Sequence, residues 1–240
     1  MTDTLPLLFQ PYSLRGITAK NRIVVAPMCQ YASVDGAPTD WHMVHMGRLA
    51  MGGAGISFVE ETAGEARGRK TYQCAGLWSS NQIPAYRRVT DMIRSFGSVP
   101  AIQSGHSGRK GSCHGAMQGW KPLGEGNTTP DQPPWIALAP SPLPDTPAHP
   151  LPHAMDRDDI ATVLAAFAEN ARLSLDAGFE LLEIHGAHGY LIHQFLSPLS
   201  NHRADGYGGD LNGRMRFALE VAETVRKAWP ADRALWWRAS

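Results

Sequence analysis

Cysteine, net charge and long apolar runs are what this 240-residue sequence has least of. Its three cysteines, Cys29, Cys74 and Cys113, are an odd set without zinc-finger or CxxC spacing. That argues against a disulfide framework and a structural zinc site, and a reducing, cytoplasmic compartment is the matching expectation. The 22 basic residues balance the 22 acidic ones, so no field steers the chain toward polyanions and nucleic acid is not an expected partner. Small molecules are then the default ligand class. No run reaches the ~18 apolar residues of a membrane helix, and the opening MTDTLPLLFQPYSLRG lacks the basic and apolar regions of a secretory signal. Neither membrane insertion nor secretion is expected. Nucleotide-binding punctuation is missing too: there is no GxxxxGK(S/T), and no GxGxxG between a strand and a helix, which disfavours P-loop and Rossmann folds.

What is present is alternation. Short β-branched apolar runs lie at Arg22 to Ala26, Ile56 to Glu60, Val99 to Ser104, Leu181 to His185 and Ala234 to Arg238, and each reads as a strand. Between them, Asp40 to Met51, Pro84 to Phe96, Asp156 to Ala177 and Asn212 to Trp229 are long enough to be crossover helices. In the third of these, Ile160, Val163, Leu164, Phe167, Ala171 and Leu175 share one apolar face, with Asp156 as N-cap and Gly178 as the stop. Repeated β/α units predict a parallel sheet. A (β/α)8 TIM barrel closes with eight strands, and five are legible here. Residues 1–240 are therefore expected to form a single partial-barrel domain of about the first five β/α units. The Pro- and Gly-rich stretch Gly111 to Pro152 interrupts the pattern, yet Trp120, Trp135, Ile136 and Leu138 give it apolar anchors. This predicts a long ordered loop over a binding face rather than a solvated linker.

The densest chemistry is EIHGAHGYLIH, Glu183 to His193. Side chains at the C-terminal end of a barrel strand converge on the active-site mouth. There His185 and His188 could donate hydrogen bonds to one substrate oxygen as negative charge develops on it, and Tyr190 could deliver a proton. Histidines that only satisfy buried backbone groups are the plainer alternative. His185, His188 and His193 also resemble a ligand set, but no carboxylate stands at HExxH spacing, and no metal is expected. At the end of the first strand APMCQY presents Cys29, open between a nucleophile, a cofactor contact and a small buried hydrophobe. Gln103 in AIQSGHSGRKG offers an amide suited to a ring edge with both carbonyl and N–H groups, while Arg109 and Lys110 read as a solvated basic loop. Arg238, inside apolar LWWR, needs an anionic or polar partner. On the first helix Trp41, His42 and His45, among Met43, Val44 and Met46, read as a packed face.

Taken together, LFQPYSLRGITAKNRIVVAPMCQYAS, WHMVHMGRLAMGGAGISFVEETA, AIQSGHSGRKG, EIHGAHGYLIHQFLSPLSNHRADGYGGDLNGRMRF and LWWRAS resemble the Old Yellow Enzyme family of flavin-dependent ene-reductases. PMCxY draws the resemblance closest to the YqjM-like or xenobiotic-reductase-like subgroup, which has cysteine where other members have threonine. The resemblance implies a (β/α)8 barrel with FMN at its C-terminal mouth, reduced by NADPH or NADH and reoxidised by an α,β-unsaturated carbonyl compound. Carried onto this sequence, Ala26, Pro27, Met28 and Cys29 would line the flavin, with Cys29 tuning its potential rather than attacking substrate. Gln103 would bond the pyrimidine edge, and Arg238 would set positive charge beside it. His185 and His188 would bind the substrate carbonyl oxygen, Tyr31 would contact substrate, and Tyr190 would protonate Cα. Two departures stand out. VEETA sets Glu61 where the family has a small residue, a carboxylate that would oppose an electron-rich flavin. Strands six to eight, which carry the family's FMN phosphate grip, are absent, so the alternative expectation is an inert partial barrel that binds FMN weakly or needs a complementary chain. Members of the subgroup form dimers and tetramers, and a homo-oligomer is compatible with the resemblance.

Overall fold

The computed structural model describes residues 5–124 and 126–240. An antiparallel hairpin comes first, β1 (Tyr12–Leu14) with β2 (Ile17–Ala19). The β/α units follow as β3 (Val24–Val25), α1 (Asp40–Met51), β4 (Ile56–Ala63), α2 (Ile83–Ser95) and β5 (Val99–Gly105). A long connection then contributes β6 (Leu138–Ala139) and β7 (His153–Ala154), which pair with each other. The chain continues through α3 (Arg157–Asp176), β8 (Leu181–Gly186), α4 (Leu191–Leu196), α5 (Leu211–Ala228) and β9 (Ala234–Ala239). The main sheet is parallel throughout and ordered β3-β4-β5-β8-β9. Each of its strands pairs with the next one along the chain, the singly wound order of a (β/α) barrel and not the reversing order of a doubly wound sheet. The sheet curls as a half-barrel.

Both faces of this sheet are covered by apolar side chains, as a parallel sheet requires. On the outer face, Val59, Ile102, Leu182 and Ile184 pack with Tyr86, Val89 and Ile93 of α2, Val163 and Phe167 of α3, and Phe217 and Val221 of α5. On the inner face a second cluster joins Ile56, Phe58, Val99, Ala101, Leu181 and Ala234 to Ile17 and Ala19 of the hairpin. The hairpin, which carried no signal in the pattern of β/α units, thus covers part of the barrel interior.

Helix α3 forms where its pattern placed it. Asp156 accepts from the Asp159 amide at 2.8 Å, Asp159 returns the bond at 3.1 Å, and Gly178 adopts φ +89° after the last turn. The first strand is shorter than expected, two residues instead of Arg22 to Ala26. It lies at the sheet edge with one neighbour only, so Ile23 and Val24 stay partly exposed and little burial holds a longer ladder together. On α1 only His42, Met46 and Ala50 are buried; Trp41 and Val44 face outward, so the expected packed face is narrower. Within 111–152, Leu138 is buried, and Trp135 donates to Arg67 O at 3.2 Å from its ring and to Ser112 Oγ at 3.0 Å from its amide. Ile136 is 70% exposed and anchors nothing. Among the described residues no helix is long and apolar enough to cross a membrane.

Candidate active site at the strand ends

Parallel register sets the site's side chains in rows across the sheet. Glu61 stands opposite Gln103, Gln103 opposite Glu183, and Glu183 opposite Trp236. One pleat further along, His185 stands opposite Arg238. A β-bulge decides the first row: Phe58 faces Ala101 but Glu61 faces Gln103, so β4 spends three residues where β5 spends two. In unbroken register Glu60 would have stood opposite Gln103. The extra residue exchanges the two glutamates, as a one-residue slip must.

Glu60, directed elsewhere, becomes a fixing point. Its carboxylate accepts from the His42 ring Nε2 at 2.8 Å and from the Gln30 amide at 2.6 Å. Because Thr39 N donates to His42 Nδ1 at 2.9 Å, Nε2 carries the ring proton. This buried relay holds α1 against the segment that follows β3. Glu183 does the equivalent at the other side, where its Oε1 accepts from Gln103 Nε2 at 2.7 Å and from Arg238 Nε at 3.0 Å. The partner that Arg238 needed is therefore Glu183, two residues before His185 on the same strand face.

Pro27, Cys29, Glu61, Gln103, His185, His188, Tyr190 and Arg238 line one cavity at these strand ends. The His185 ring centre lies 4.9 Å from that of His188 and 5.0 Å from that of Tyr190, both edge-on. His185 Nδ1 accepts from the Ala187 amide at 3.2 Å, which leaves its Nε2–H as a free donor. Burial, then the neighbouring His188, Arg238 and His193, push its pKa down to about 3, so the ring is neutral. Burial, with Glu61 and Cys29 behind it, raises the Tyr190 hydroxyl, and burial, then Glu61, raises the Cys29 thiol. Both keep their protons. Glu61 is itself pushed up to about 8 by burial and by Glu60, against the pull of Lys70.

Strain gathers at the same place. His188 at φ +58° and Tyr31 at φ +52° sit in the left-handed region, which large L-residues avoid unless their surroundings impose it. The His188 turn is gripped on both sides, its amide donating to Ser240 Oγ at 2.9 Å and its carbonyl accepting from Lys110 Nζ at 3.0 Å. Lys110 is thus no solvated loop residue. Neither is Arg109, which bonds Gln194 Oε1 through its amide at 3.2 Å and lies 3.7 Å from Asp145. Three expected residues fall outside the cavity. Ala26 and Met28 are exposed, and Tyr31 borders a neighbouring hollow, edge-on to Trp120 at 5.3 Å.

Among the described residues the one group of three close metal-ligand side chains is His153, Asp156 and Asp159 at the start of α3, remote in sequence from His185, His188 and His193. Glu183 had a signal, its i, i+2 spacing from His185; Glu60, His42 and Gln194 had none, since each depends on a contact made only in three dimensions.

An amide and a guanidinium side by side suit a ring edge of carbonyl and N–H groups, and the buried Glu61 Oε1, which has no hydrogen-bond partner, leaves one polar position for such a ring to complete. The fold is that of a partial (β/α) barrel with its polar side chains gathered at the strand ends. The chain belongs to the NADH:flavin oxidoreductase / NADH oxidase family, which it matches over residues 7–240. FMN and a nicotinamide reductant are that family's cofactors. The chain is 40% identical over 229 residues to an NADH:flavin oxidoreductase of Gibberella zeae, covering 93% of this chain and 54% of that one. It is 39% identical over 225 residues to an NADPH dehydrogenase of a Geobacillus species, covering 93% and 60%. Morphinone reductase superposes with a TM-score of 0.82 at 27% identity, over 100% of this chain and 63% of that one. Old Yellow Enzyme from a Pichia species gives 0.83 at 25%, over 97% and 59%. The chain thus spans little more than half the length of the curated relatives it matches.

Proposed function

We propose that this chain carries the catalytic face of an FMN-dependent NAD(P)H oxidoreductase that reduces the carbon–carbon double bond of α,β-unsaturated carbonyl compounds. The observation that carries the reading is the neutral His185 donor, packed edge-on against His188 and Tyr190 at the strand ends. Bound FMN would supply the hydride chemistry that links NADPH or NADH to the alkene Cβ. His185 Nε2–H and the His188 ring hold the carbonyl oxygen and stabilise the negative charge that develops there. Tyr190, which retains its phenolic proton, gives it to Cα. Cys29, a neutral thiol, would border the cofactor and bias its redox balance rather than attack substrate. Gln103 and Arg238, positioned by Glu183, would hold the pyrimidine edge, Ala26, Pro27 and Met28 would border the ring, and Tyr31 would contact substrate from the rim.

The test is the absorbance of the purified chain with FMN, followed anaerobically by NADPH and then 2-cyclohexenone. A flavin band that bleaches and returns is expected. In His185→Ala/His188→Ala the return should slow by about 100-fold or more while flavin stays bound, since oxyanion donors act mainly on the transition state. Loss of FMN with unchanged turnover per bound flavin would overturn the assignment.

The sheet edges favour a second reading. β3 and β9 each pair on one side only, and Val24 and Trp237 on them are partly exposed, as in a partial barrel that holds FMN only with a complementary chain. A flavin band retained only after such a chain is added would establish it.

A further inference from the structure

Glu61 is the one side chain of the cavity whose chemistry the proposed reaction leaves unused. It is 7% exposed, its Oε1 has no hydrogen-bond partner, and it lines the same hollow as Cys29, Gln103, His185 and Tyr190. Room for it comes from Gly105 at the end of β5. A Cβ on Gly105 would lie 2.4 Å from Glu61 Oε1, 2.7 Å from its Cγ and 2.9 Å from its Cδ, closer than real atoms approach. The carboxyl therefore occupies the volume that any other residue at 105 would fill.

We propose that Glu61 is a resident acid of the flavin mouth, a neutral carboxyl that donates its proton in a hydrogen bond to the bound flavin ring, with Gly105 as the space reserved for it. This rests on the flavin reading above. A buried carboxylate without a donor is costly, whereas a buried carboxylic acid both avoids that cost and becomes a donor. The groups that face it agree. Glu60 on its own strand opposes a second negative charge, Cys29 and Tyr190 keep their protons and so bring no positive charge to it, and Arg238 is committed to Glu183. Lys70 alone pulls toward ionisation, and burial outweighs it, so that Glu61 titrates at about 8.

The experiment is an FMN fluorescence titration of the wild-type chain, Glu61→Gln and Glu61→Ala at about pH 7 and about pH 9, one unit on either side of the titration of Glu61. The wild-type dissociation constant should weaken about tenfold between the two, while that of Glu61→Gln, whose amide still donates, should hold steady. Without FMN, Gly105→Ala should lower the melting temperature of the wild-type chain and leave that of Glu61→Ala nearly unmoved. Equal pH profiles for wild type and Glu61→Gln would overturn the proposal. So would tighter binding by Glu61→Ala at both pH values, which would make the carboxyl an obstruction. If neither the wild type nor any variant binds FMN, alone or with a complementary chain added, the flavin reading itself fails and takes this one with it, an outcome distinct from the other two.

Discussion

Glu60 accepts two hydrogen bonds, from the buried His42 ring and the half-buried Gln30 amide, and each would be orphaned by truncation. Glu60→Ala is therefore expected to cost about 1–3 kcal/mol for each donor left unpaired, read as a fall in the urea midpoint. His42→Ala should show a similar loss. Because Gln30 adjoins Cys29, the variant should also loosen the segment after β3, which amide exchange at Gln30 and Tyr31 would report. Tyr190 allows a cleaner separation of roles. Tyr190→Phe keeps the ring that packs on His185 at 5.0 Å and deletes only the hydroxyl, so stability and FMN affinity should hold while enone reduction falls by about 10²–10⁴-fold, the usual contribution of a general acid. Unchanged enone turnover would transfer the proton-donor role to another group.

Among the elements, α3 is the one whose ends are best determined by local chemistry. Asp156 and Asp159 close a reciprocal capping box, so Asp156→Ala should cost ~1 kcal/mol, measurable by denaturation, without touching the site. Strand β4 depends instead on its partner. Its bulge is visible only as a shift of register against β5, and it settles which of two chemically identical neighbours, Glu60 or Glu61, enters the cavity. Deleting one of the two glutamates should restore an unbroken ladder and send the remaining one into the mouth, at the expense of the His42 relay; loss of the protected His42 ring proton in NMR spectra would record it.

For the molecule as a whole, two buried groups of opposite sense shape the pH dependence of stability. Glu61 titrates at about 8 in the folded chain against an ordinary 4.5, so the folded state holds its proton longer, and the stability this gives is lost as pH rises from 4.5 through 8. His185 titrates at about 3 against 6.5, so the unfolded chain binds its proton first, and stability is lost as pH falls from 6.5 through 3. Between 4.5 and 6.5 the two slopes cancel. Thermal melts across pH should accordingly show a plateau there with a decline on either side. Glu61→Gln should flatten the alkaline arm and His185→Ala the acid arm, and a variant that leaves its arm unchanged would assign that arm to other groups.

The sequence by itself determined the β/α alternation, because burial of a parallel sheet under helices leaves short β-branched runs between amphipathic ones. It located α3 through its cap and its Gly178 stop, and it placed His185, His188 and Tyr190 at a strand end, since those signals are local. The hairpin's place over the barrel interior was not legible, nor was the shortness of β3, because both depend on what lies beside them. Only the tertiary structure decided that Glu183 joins Gln103 to Arg238, that Glu60 and Glu61 part ways at a bulge, and that Gly105 makes room for an acid. Each of these is a relation between residues on different strands, fixed by register and packing that no single stretch of chain encodes.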